Sequence, residues 1–271
     1  MCRTPPITAF VVLKLIDQGS WNLDEPVSNY FIDEDIKHSK YIDKLTTRHI
    51  LSHQSGFPNW RYLTEDKRLS FQFEPGTKWQ YSGEGFEYLR KAIEKKMKRP
   101  FDEIAQEKLF DPIGMNSTYF YWKDKIDESL YAIEHDENGK PINYEKYTNA
   151  NAAANLMTTV EDYSKFLVYI INGAGLSENL YAEFLKTQSH EKKGIDWSLG
   201  MQMLSGLPNN ETAFMHTGGD YGTKTISLLL KNSKQGLVLF SNSESGMILW
   251  QKIISEYFGE TGKKIVQRNL E

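Results

Sequence analysis

Cysteine is almost absent from this 271-residue sequence, in which Cys2 is the single thiol. One cysteine excludes an intramolecular disulfide and any zinc cluster built from several cysteines. A basic excess is also lacking, because the formal net charge is −4, so nucleic acid is not expected as a partner. No apolar run approaches the roughly 18 residues of a membrane-spanning helix. The N-terminal residues also lack the basic start, apolar stretch and cleavage site of a signal peptide.

Several motifs of familiar enzyme classes are missing as well. No Gly-x-Ser-x-Gly sequence is present, which excludes the nucleophile elbow of an α/β-hydrolase. Gly83-Glu-Gly85 and Gly173-Ala-Gly175 do not continue into a phosphate-binding loop. His49 and His53 have the i, i+4 spacing of metal ligands on a short expected helix, but no glutamate follows the first and no third ligand is evident. We therefore expect structural histidines that bond the loop at Ser55-Gly56, and neither a metal nor a cofactor.

The sequence does contain enough apolar residues for a sizeable core, since 39% are hydrophobic. The first two-thirds predict mostly helices: a buried one over Pro6–Gly19 and others that begin after Thr46, Ser82 and Thr159. The last third predicts an antiparallel meander of four strands, at Trp197–Leu204, Ala213–Met215, Thr223–Leu230 and Gly236–Ser241. A last helix is predicted at Met247–Phe258. The predicted fold class is α+β in a single domain over 1–271, mostly helical at about 20–155, with helices and sheet at about 1–19 and 156–271.

The most distinctive local pattern is a glycine-rich strand tip that contains His216, Thr217, Gly218 and Gly219. Missing Cβ atoms let a ligand approach the backbone, and an edge strand can pair with an extended, amide-containing ligand. A second candidate is Tyr81, at a loop-to-helix junction, whose phenol acts as a base only where nearby cations favour phenolate. These residues alone leave two interpretations open: a substrate cleft, or a tight hairpin and a core tyrosine.

Six segments, in this order, resemble the motifs of one enzyme family. They are Pro6–Gly19 with Leu23–Pro26, Thr47–Gly56, Phe73–Gly76 with Tyr81-Ser82-Gly83, Leu109–Met115, Met157–Asp162 and His216-Thr217-Gly218. The second resembles the family sequence R-H-L-L-T-H-T-S-G, the third a stretch that ends in Tyr-x-Asn, and the last Lys-Thr-Gly or His-Thr-Gly. On these motifs the chain resembles the serine β-lactamase-related family of class C β-lactamases, esterases, and penicillin-binding D-aminopeptidases and carboxypeptidases.

The resemblance implies a β-lactamase/transpeptidase-like fold, with an antiparallel sheet flanked by helices, an inserted helical subdomain and the active site between them. It implies acyl transfer, in which a serine hydroxyl attacks an amide, ester or lactam carbonyl of a small-molecule or peptide-like substrate and a lysine assists. Tyr81 would join the proton relay, and a backbone N–H of the His-Thr-Gly strand would help to form the oxyanion hole. The substrate-binding residues would be His216, Thr217, Gly218, Gly219, Ser82 and Gly83.

The chain departs from the family at the nucleophile. In this register Ser-x-x-Lys is replaced by Cys2-Arg3-Thr4-Pro5, so Cys2 takes the nucleophile position without a lysine to activate its thiol. The family's leading helix and first strands have no counterpart, and we expect residues 1–5 not to be homologous sequence, through a late start, a frameshift or an engineered truncation. Gly83 in place of asparagine and His216 in place of lysine favour an esterase or peptidase-like member over a β-lactamase.

Three functional hypotheses follow from the sequence. The first is a β-lactamase-related serine hydrolase that is catalytically impaired in this chain. The second is a non-catalytic homologue that binds peptide-like or cell-wall ligands, and the third is a structural or interaction domain. The sequence does not determine the cellular compartment. The chain as it stands is expected to be cytoplasmic, whereas members of the resembled family are often periplasmic or secreted.

Overall fold

The computed structural model describes residues 4–270. Its helices are α1 (Thr4–Asp17), α2 (Thr47–Leu51), α3 (Gly83–Met97), α4 (Phe101–Ala105), α5 (Asp111–Ile113), α6 (Val160–Ile171), α7 (Glu178–Phe184), α8 (Gly246–Tyr257) and α9 (Gly259–Leu270). Its strands are β1 (Ser189–Lys192), β2 (Ile195–Trp197), β3 (Gln202–Leu207), β4 (Glu211–Asp220), β5 (Thr223–Leu230) and β6 (Gln235–Ser241). None of the helices in this part of the chain is both long and apolar enough to cross a membrane.

The strands form one antiparallel meander, in which neighbours in sequence are also neighbours in the sheet, in the order β1-β2-β3-β4-β5-β6. β4 and β5 pair in continuous register and are joined by the two-residue turn Tyr221-Gly222. Gly222 has a φ of +80°, a conformation that glycine adopts without the steric cost of a Cβ. The predicted α+β class, with an antiparallel sheet flanked by helices, is confirmed.

Both faces of the sheet are buried, each against different helices. On one face Phe214 and Leu229 join the large core that also contains the buried side of α1. On the other face Met215 and Leu228 join a smaller core with Ile254 of α8 and residues of α9. Successive side chains of a strand point to opposite faces, so neighbours in β4 and β5 enter different cores. This double burial explains why both strands contain nearly continuous apolar runs.

The helix starts predicted from capping residues are confirmed. In each case a side-chain oxygen accepts a backbone N–H of the first helical turn, at Thr46, Ser82 and Thr159. The end of α2 differs from the prediction, because the helix stops at Leu51 and His53 has a left-handed φ of +56°. Between α1 and α6 the chain forms α2 to α5, irregular segments and short 3-10 turns, and this part contributes no strand to the described sheet.

The last helix of the sequence prediction, Met247–Phe258, is present as α8, but a further helix, α9, follows it. Four residues of α9 are buried, Thr261, Gly262, Ile265 and Val266, and their spacing places them on one face of the helix. The helix is held by packing on α8, where a Cβ on Gly262 would stand 1.9 Å from the carbonyl oxygen of Ile254. The sequence prediction therefore missed α9, although its buried residues follow a helical spacing.

Candidate active site

The first turn of α1 lies against the turn that follows β2. A Cβ on Gly200 would stand 2.3 Å from the Cβ of Ala9 and 3.7 Å from the carbonyl oxygen of Pro5. Gly200 has a φ of +92°, and its N–H donates to the carbonyl oxygen of Leu51 at 2.8 Å. Only glycine permits this close approach, which brings the start of α1, where Pro5 is buried, next to the turn between β2 and β3. Cys2 lies outside the described residues.

His53 is fully buried at the centre of the site. Its Nδ1 accepts the backbone N–H of Ser82 at 3.1 Å, and its ring stacks on that of Tyr81 with the centroids 4.2 Å apart. Burial, with a smaller contribution from His216, lowers the pKa of His53 well below its ordinary value of 6.5, so the ring is neutral at pH 7. His53 therefore positions Tyr81 and Ser82, and the predicted bond to the loop at Ser55-Gly56 is wrong.

The two histidines of the i, i+4 pair point to different places. His49 Nδ1 lies 3.1 Å from the carbonyl oxygen of Lys44, and its Nε2 would be 2.8 Å from a Cβ on Gly76. The left-handed turn at His53 directs the second ring toward Tyr81 instead. Within residues 4–270, no group of three histidine, cysteine, aspartate or glutamate side chains could hold a metal ion.

Strands β2 and β4 bring two more rings to Tyr81. The ring centroids of Trp197 and His216 lie 6.1 and 6.3 Å from that of Tyr81, and 5.8 Å from each other. Trp197 and His216 are 4% and 3% exposed, whereas Tyr81 is half-buried. Two of the residues singled out in the sequence, Tyr81 and His216, therefore lie in one cleft, although they are far apart along the chain.

β4 extends beyond β3 at this cleft. β3 begins at Gln202, which pairs with Met215, so no strand of the described sheet pairs with Thr217–Asp220 on that side. On the other side the same stretch pairs with β5 as far as the hairpin turn. Thr217 and Gly219 are exposed here, and Gly218 is buried between them. The free strand edge offers backbone N–H and C=O groups to an extended ligand.

Ser82 and Gly83 have mainly structural contacts. The Ser82 hydroxyl accepts the N–H of Gly85 at 3.0 Å and donates to the carbonyl oxygen of Pro58 at 2.8 Å, so it caps α3. A Cβ on Gly83 would stand 2.6 Å from the indole of Trp60, which occupies the space that a side chain at position 83 would need. Trp60 therefore packs directly against Gly83, where many members of the resembled family have an asparagine.

Arg61 anchors the segment that carries Trp60. Its Nη2 lies 2.8 Å from Asp33 Oδ2 and 2.8 Å from Glu84 Oε1, and Glu84 is only 6% exposed in the first turn of α3. Burial opposes the charged guanidinium, but the hydrogen bonds to the two carboxylates outweigh it and raise the pKa of Arg61 above its ordinary value. The ion pair with Glu84 fixes the segment that contains Trp60 to the start of α3.

Three residues of the site, His53, Trp60 and Trp197, are not assigned to it by the sequence analysis. His53 lies inside the family-like segment Thr47–Gly56, so that motif was the signal that could have found it. Trp60 lies in an irregular loop and Trp197 at the end of a three-residue strand. Neither has a local pattern that points to a cleft, because their neighbours come from distant parts of the chain.

The arrangement supplies binding groups and one phenol. An extended amide can lie along the free edge of β4, and the Tyr81 hydroxyl is the group of the site suited to donating a hydrogen bond or a proton. A neutral His53 provides no positive charge to favour phenolate, so its stacking on Tyr81 orients the ring without making it a base. The site thus combines a strand edge without a partner strand and a phenol that can donate a proton.

Comparison with known proteins gives a consistent result. A family described as Beta-lactamase matches residues 4–248. Penicillin-binding protein 4* of Bacillus subtilis (strain 168) is 23% identical over 92% of this chain, and the chain spans 61% of the length of that relative. Among solved structures, the penicillin binding protein from Bacillus halodurans has a TM-score of 0.80 at 20% identity, covering 95% of this chain and 85% of the other. D-amino acid amidase from Ochrobactrum anthropi SV3 has a TM-score of 0.76 at 18% identity, covering 94% and 89%.

Proposed function

Since this chain belongs to the Beta-lactamase family, we propose that it binds a peptide-like ligand in an acyl-transfer cleft between Tyr81 and the free edge of β4. The observation that carries the proposal is the edge of Thr217–Asp220, which has no partner strand on the β3 side and lies next to His216 and the Tyr81, His53 and Trp197 rings. A ligand that extends the sheet would satisfy backbone groups that β3 leaves free.

Both backbone groups and side chains of the cleft would bind the ligand. The backbone of Thr217, Gly218 and Gly219 would pair with the ligand's amide groups, and the exposed Thr217 hydroxyl would add one hydrogen bond. A carbonyl held at this edge would lie against backbone N–H donors, as an oxyanion hole requires. Tyr81 would donate its phenolic proton to the group that leaves or to the carbonyl oxygen.

We propose that turnover by this chain is impaired. Acyl transfer in the family depends on a serine nucleophile and a lysine one helical turn later. In the register of the family motifs these positions hold Cys2 and Pro5, and Pro5 has no titratable group. Without a base in that position the Cys2 thiol would stay mostly protonated, so attack on a ligand carbonyl would be slow.

Two measurements test this proposal. First, we expect no stoichiometric burst of acyl-enzyme with nitrocefin or a p-nitrophenyl ester, and no labelling by a fluorescent penicillin. A burst that iodoacetamide pretreatment abolishes would identify Cys2 as a working nucleophile, since it is the single cysteine. A burst that survives this pretreatment would place the nucleophile elsewhere. Either burst would overturn the proposal of impaired turnover.

Second, N-acetyl-D-alanyl-D-alanine should perturb the backbone amide resonances of Thr217–Asp220. The matched control is Ala213–Met215, the part of the same strand that pairs on both sides, which should shift little. Tyr81→Phe should weaken binding while keeping the ring that stacks on His53. No perturbation at millimolar ligand would contradict binding in this cleft and favour an interaction domain.

A further inference from the structure

A pocket of about 220 Å³ opens beside the free edge of β4. It is lined by three large aromatic rings, a single carboxylate and three further polar side chains: Trp79, Tyr81, Trp197, Glu191, Gln202, His216 and Thr217. Tyr81, His216 and Thr217 also line the proposed peptide cleft, so the pocket is continuous with that cleft. The combination of flat rings with one acid is chemically specific, because it suits a small cation rather than a neutral or anionic group.

Among the described residues that line this pocket, Glu191 is the only acid. It lies half-buried in β1, and its Oε2 accepts the Trp197 Nε1–H at 2.7 Å and the Gln202 Nε2–H at 3.0 Å. Among residues 4–270, no donor reaches Oε1 and no lysine, arginine or histidine forms an ion pair with this carboxylate. The two hydrogen bonds hold the carboxylate in one orientation at the pocket and leave one oxygen for a ligand.

The aromatic rings of the pocket also favour a cationic ligand. Trp79 and Trp197 face each other at a centroid distance of 6.1 Å with an interplanar angle of 30°, and Tyr81 lies 6.1 Å from Trp197. The negative faces of indole and phenol rings attract ammonium groups within about 6 Å. Trp79 also buries its Nε1–H without an acceptor among the described residues. A ligand with both an ammonium group and a carbonyl oxygen would match the acid, the rings and this donor.

We propose that this pocket binds the free α-ammonium group of a peptide-like ligand, with Glu191 as its counter-ion and Trp79 and Trp197 as its walls. The inference rests on the proposed function, because it assumes that the ligand lies along β4 and directs its amino end past His216 and Thr217. It names the substrate class of the cleft: amino-acid amides or short peptides with an unblocked N-terminus, in preference to N-acylated ones.

The test compares two ligands that differ only in this charge. D-alanyl-D-alanine and N-acetyl-D-alanyl-D-alanine are titrated into the full chain by calorimetry, and the free dipeptide should bind about tenfold more tightly. Glu191→Gln, which keeps an acceptor for Trp197 and Gln202, should remove this preference and leave the affinity for the acetylated ligand unchanged. Asp196→Asn removes a charge from the neighbouring strand β2 outside the pocket, and it should keep the preference.

The outcomes separate this inference from the proposed function. Equal affinity for both dipeptides, or a preference that persists in Glu191→Gln, would overturn the ammonium pocket and leave the peptide cleft in place. If neither dipeptide binds, the proposed cleft fails, and benzylammonium with benzyl alcohol as its neutral control decides the pocket alone. A shift of the Trp197 indole N–H resonance by benzylammonium only, absent in Glu191→Gln, would support the pocket, and its absence would refute it.

Discussion

His53 shows how burial changes the role of a titratable side chain. Its ring is enclosed by Tyr81, Phe86 and Trp197, with centroid distances of 4.2, 5.4 and 4.5 Å. Such surroundings disfavour the charged imidazolium, so folding is coupled to keeping this ring neutral. In the sequence His53 has the spacing of a metal ligand relative to His49. In the folded chain its Nδ1 instead accepts the backbone N–H of Ser82.

This coupling predicts how stability depends on pH. The folded-state pKa values of His53 and His49 are both lowered by burial from 6.5, so below that pH the unfolded chain binds more protons. The unfolding free energy should be highest above pH 6.5 and fall as the pH decreases, by up to about 1.4 kcal/mol per pH unit for each histidine. Urea unfolding at pH values between 7.5 and 5.5, about half a pH unit apart, measures how the unfolding free energy changes with pH.

A matched pair of variants assigns the slope to the buried ring. His53→Asn tolerates the left-handed backbone and keeps an acceptor for Ser82, so it should fold with a shallower pH dependence. His38→Asn changes an exposed histidine and should leave the slope as it is. A wild-type stability that stays constant or rises as the pH falls through this interval would refute the argument.

Gly83 and Trp60 give a second prediction at the level of single residues. Gly83→Asn would force a side chain into the Trp60 indole, because the Cβ alone would stand 2.6 Å from it. We expect a loss of about 1–3 kcal/mol, as overpacking usually costs. In a Trp60→Ala background the same substitution should cost clearly less, since the space is then free. Equal losses in both backgrounds, by chemical denaturation, would show that Trp60 does not fill this space.

At the scale of elements, the site depends on how α1 crosses the β2–β3 turn. The buried length of α1 and the positive φ of Gly200 place this helix in contact with the sheet at Ala9. The register of β3 is equally decisive, because its start at Gln202 leaves the end of β4 without a partner. Both are relations between elements, and neither can be read from one segment alone.

Replacing Gly200 tests the helix crossing. Gly200→Ala should destabilise the protein both through its φ of +92° and through the 2.3 Å approach to Ala9. Gly206→Ala is the matched control, because Gly206 has a φ of +60° with nothing within 4 Å of its Cβ position. The control should lose about 1–2 kcal/mol from backbone strain alone, and Gly200→Ala should lose clearly more. Equal changes in the denaturation midpoint would mean that α1 does not pack tightly on this turn.

At the scale of the whole molecule, one sheet serves two cores. Alternate residues of β4 and β5 enter the large core around α1 and the smaller core under α8 and α9. A substitution that destabilises the smaller core should therefore also destabilise the cleft on the opposite face, because β4 and β5 belong to both cores. The chain is expected to unfold as one cooperative unit rather than in two steps.

Ile254→Ala tests this cooperativity. Ile254 is fully buried in the smaller core, so the substitution should cost about 2–5 kcal/mol. Far-UV and near-UV circular dichroism should report the same lowered midpoint, since both cores lose their common sheet together. Met247→Ala, at a side chain of the same helix that is 46% exposed, should change stability by no more than about 0.5 kcal/mol. Separate transitions in Ile254→Ala would show that the cores are independent.

The sequence by itself determined the family, the α+β class, the helix starts and an antiparallel meander in the last third. The prediction of one strand over Trp197–Leu204 is wrong, because a turn divides this stretch between β2 and β3, and β1 was not predicted. The correct predictions follow from local chemistry: capping residues accept backbone N–H groups of the first turn, and apolar runs of strand length mark buried strands. The order of the family-like motifs also predicted Tyr81 and His216 for one site, and the structure places their ring centroids 6.3 Å apart. That much is encoded in segments of a few residues each.

Only the tertiary structure decided what surrounds those residues. The stacking of His53 on Tyr81, the indole of Trp60 against Gly83 and the pocket that Glu191 shares with Trp79 and Tyr81 each join residues that are distant along the chain. Contacts of this kind depend on how helices and strands pack, and a pattern of neighbouring residues does not contain that information. The physical reason is range: capping and alternation act over a few residues, whereas a cleft is made where separate elements meet.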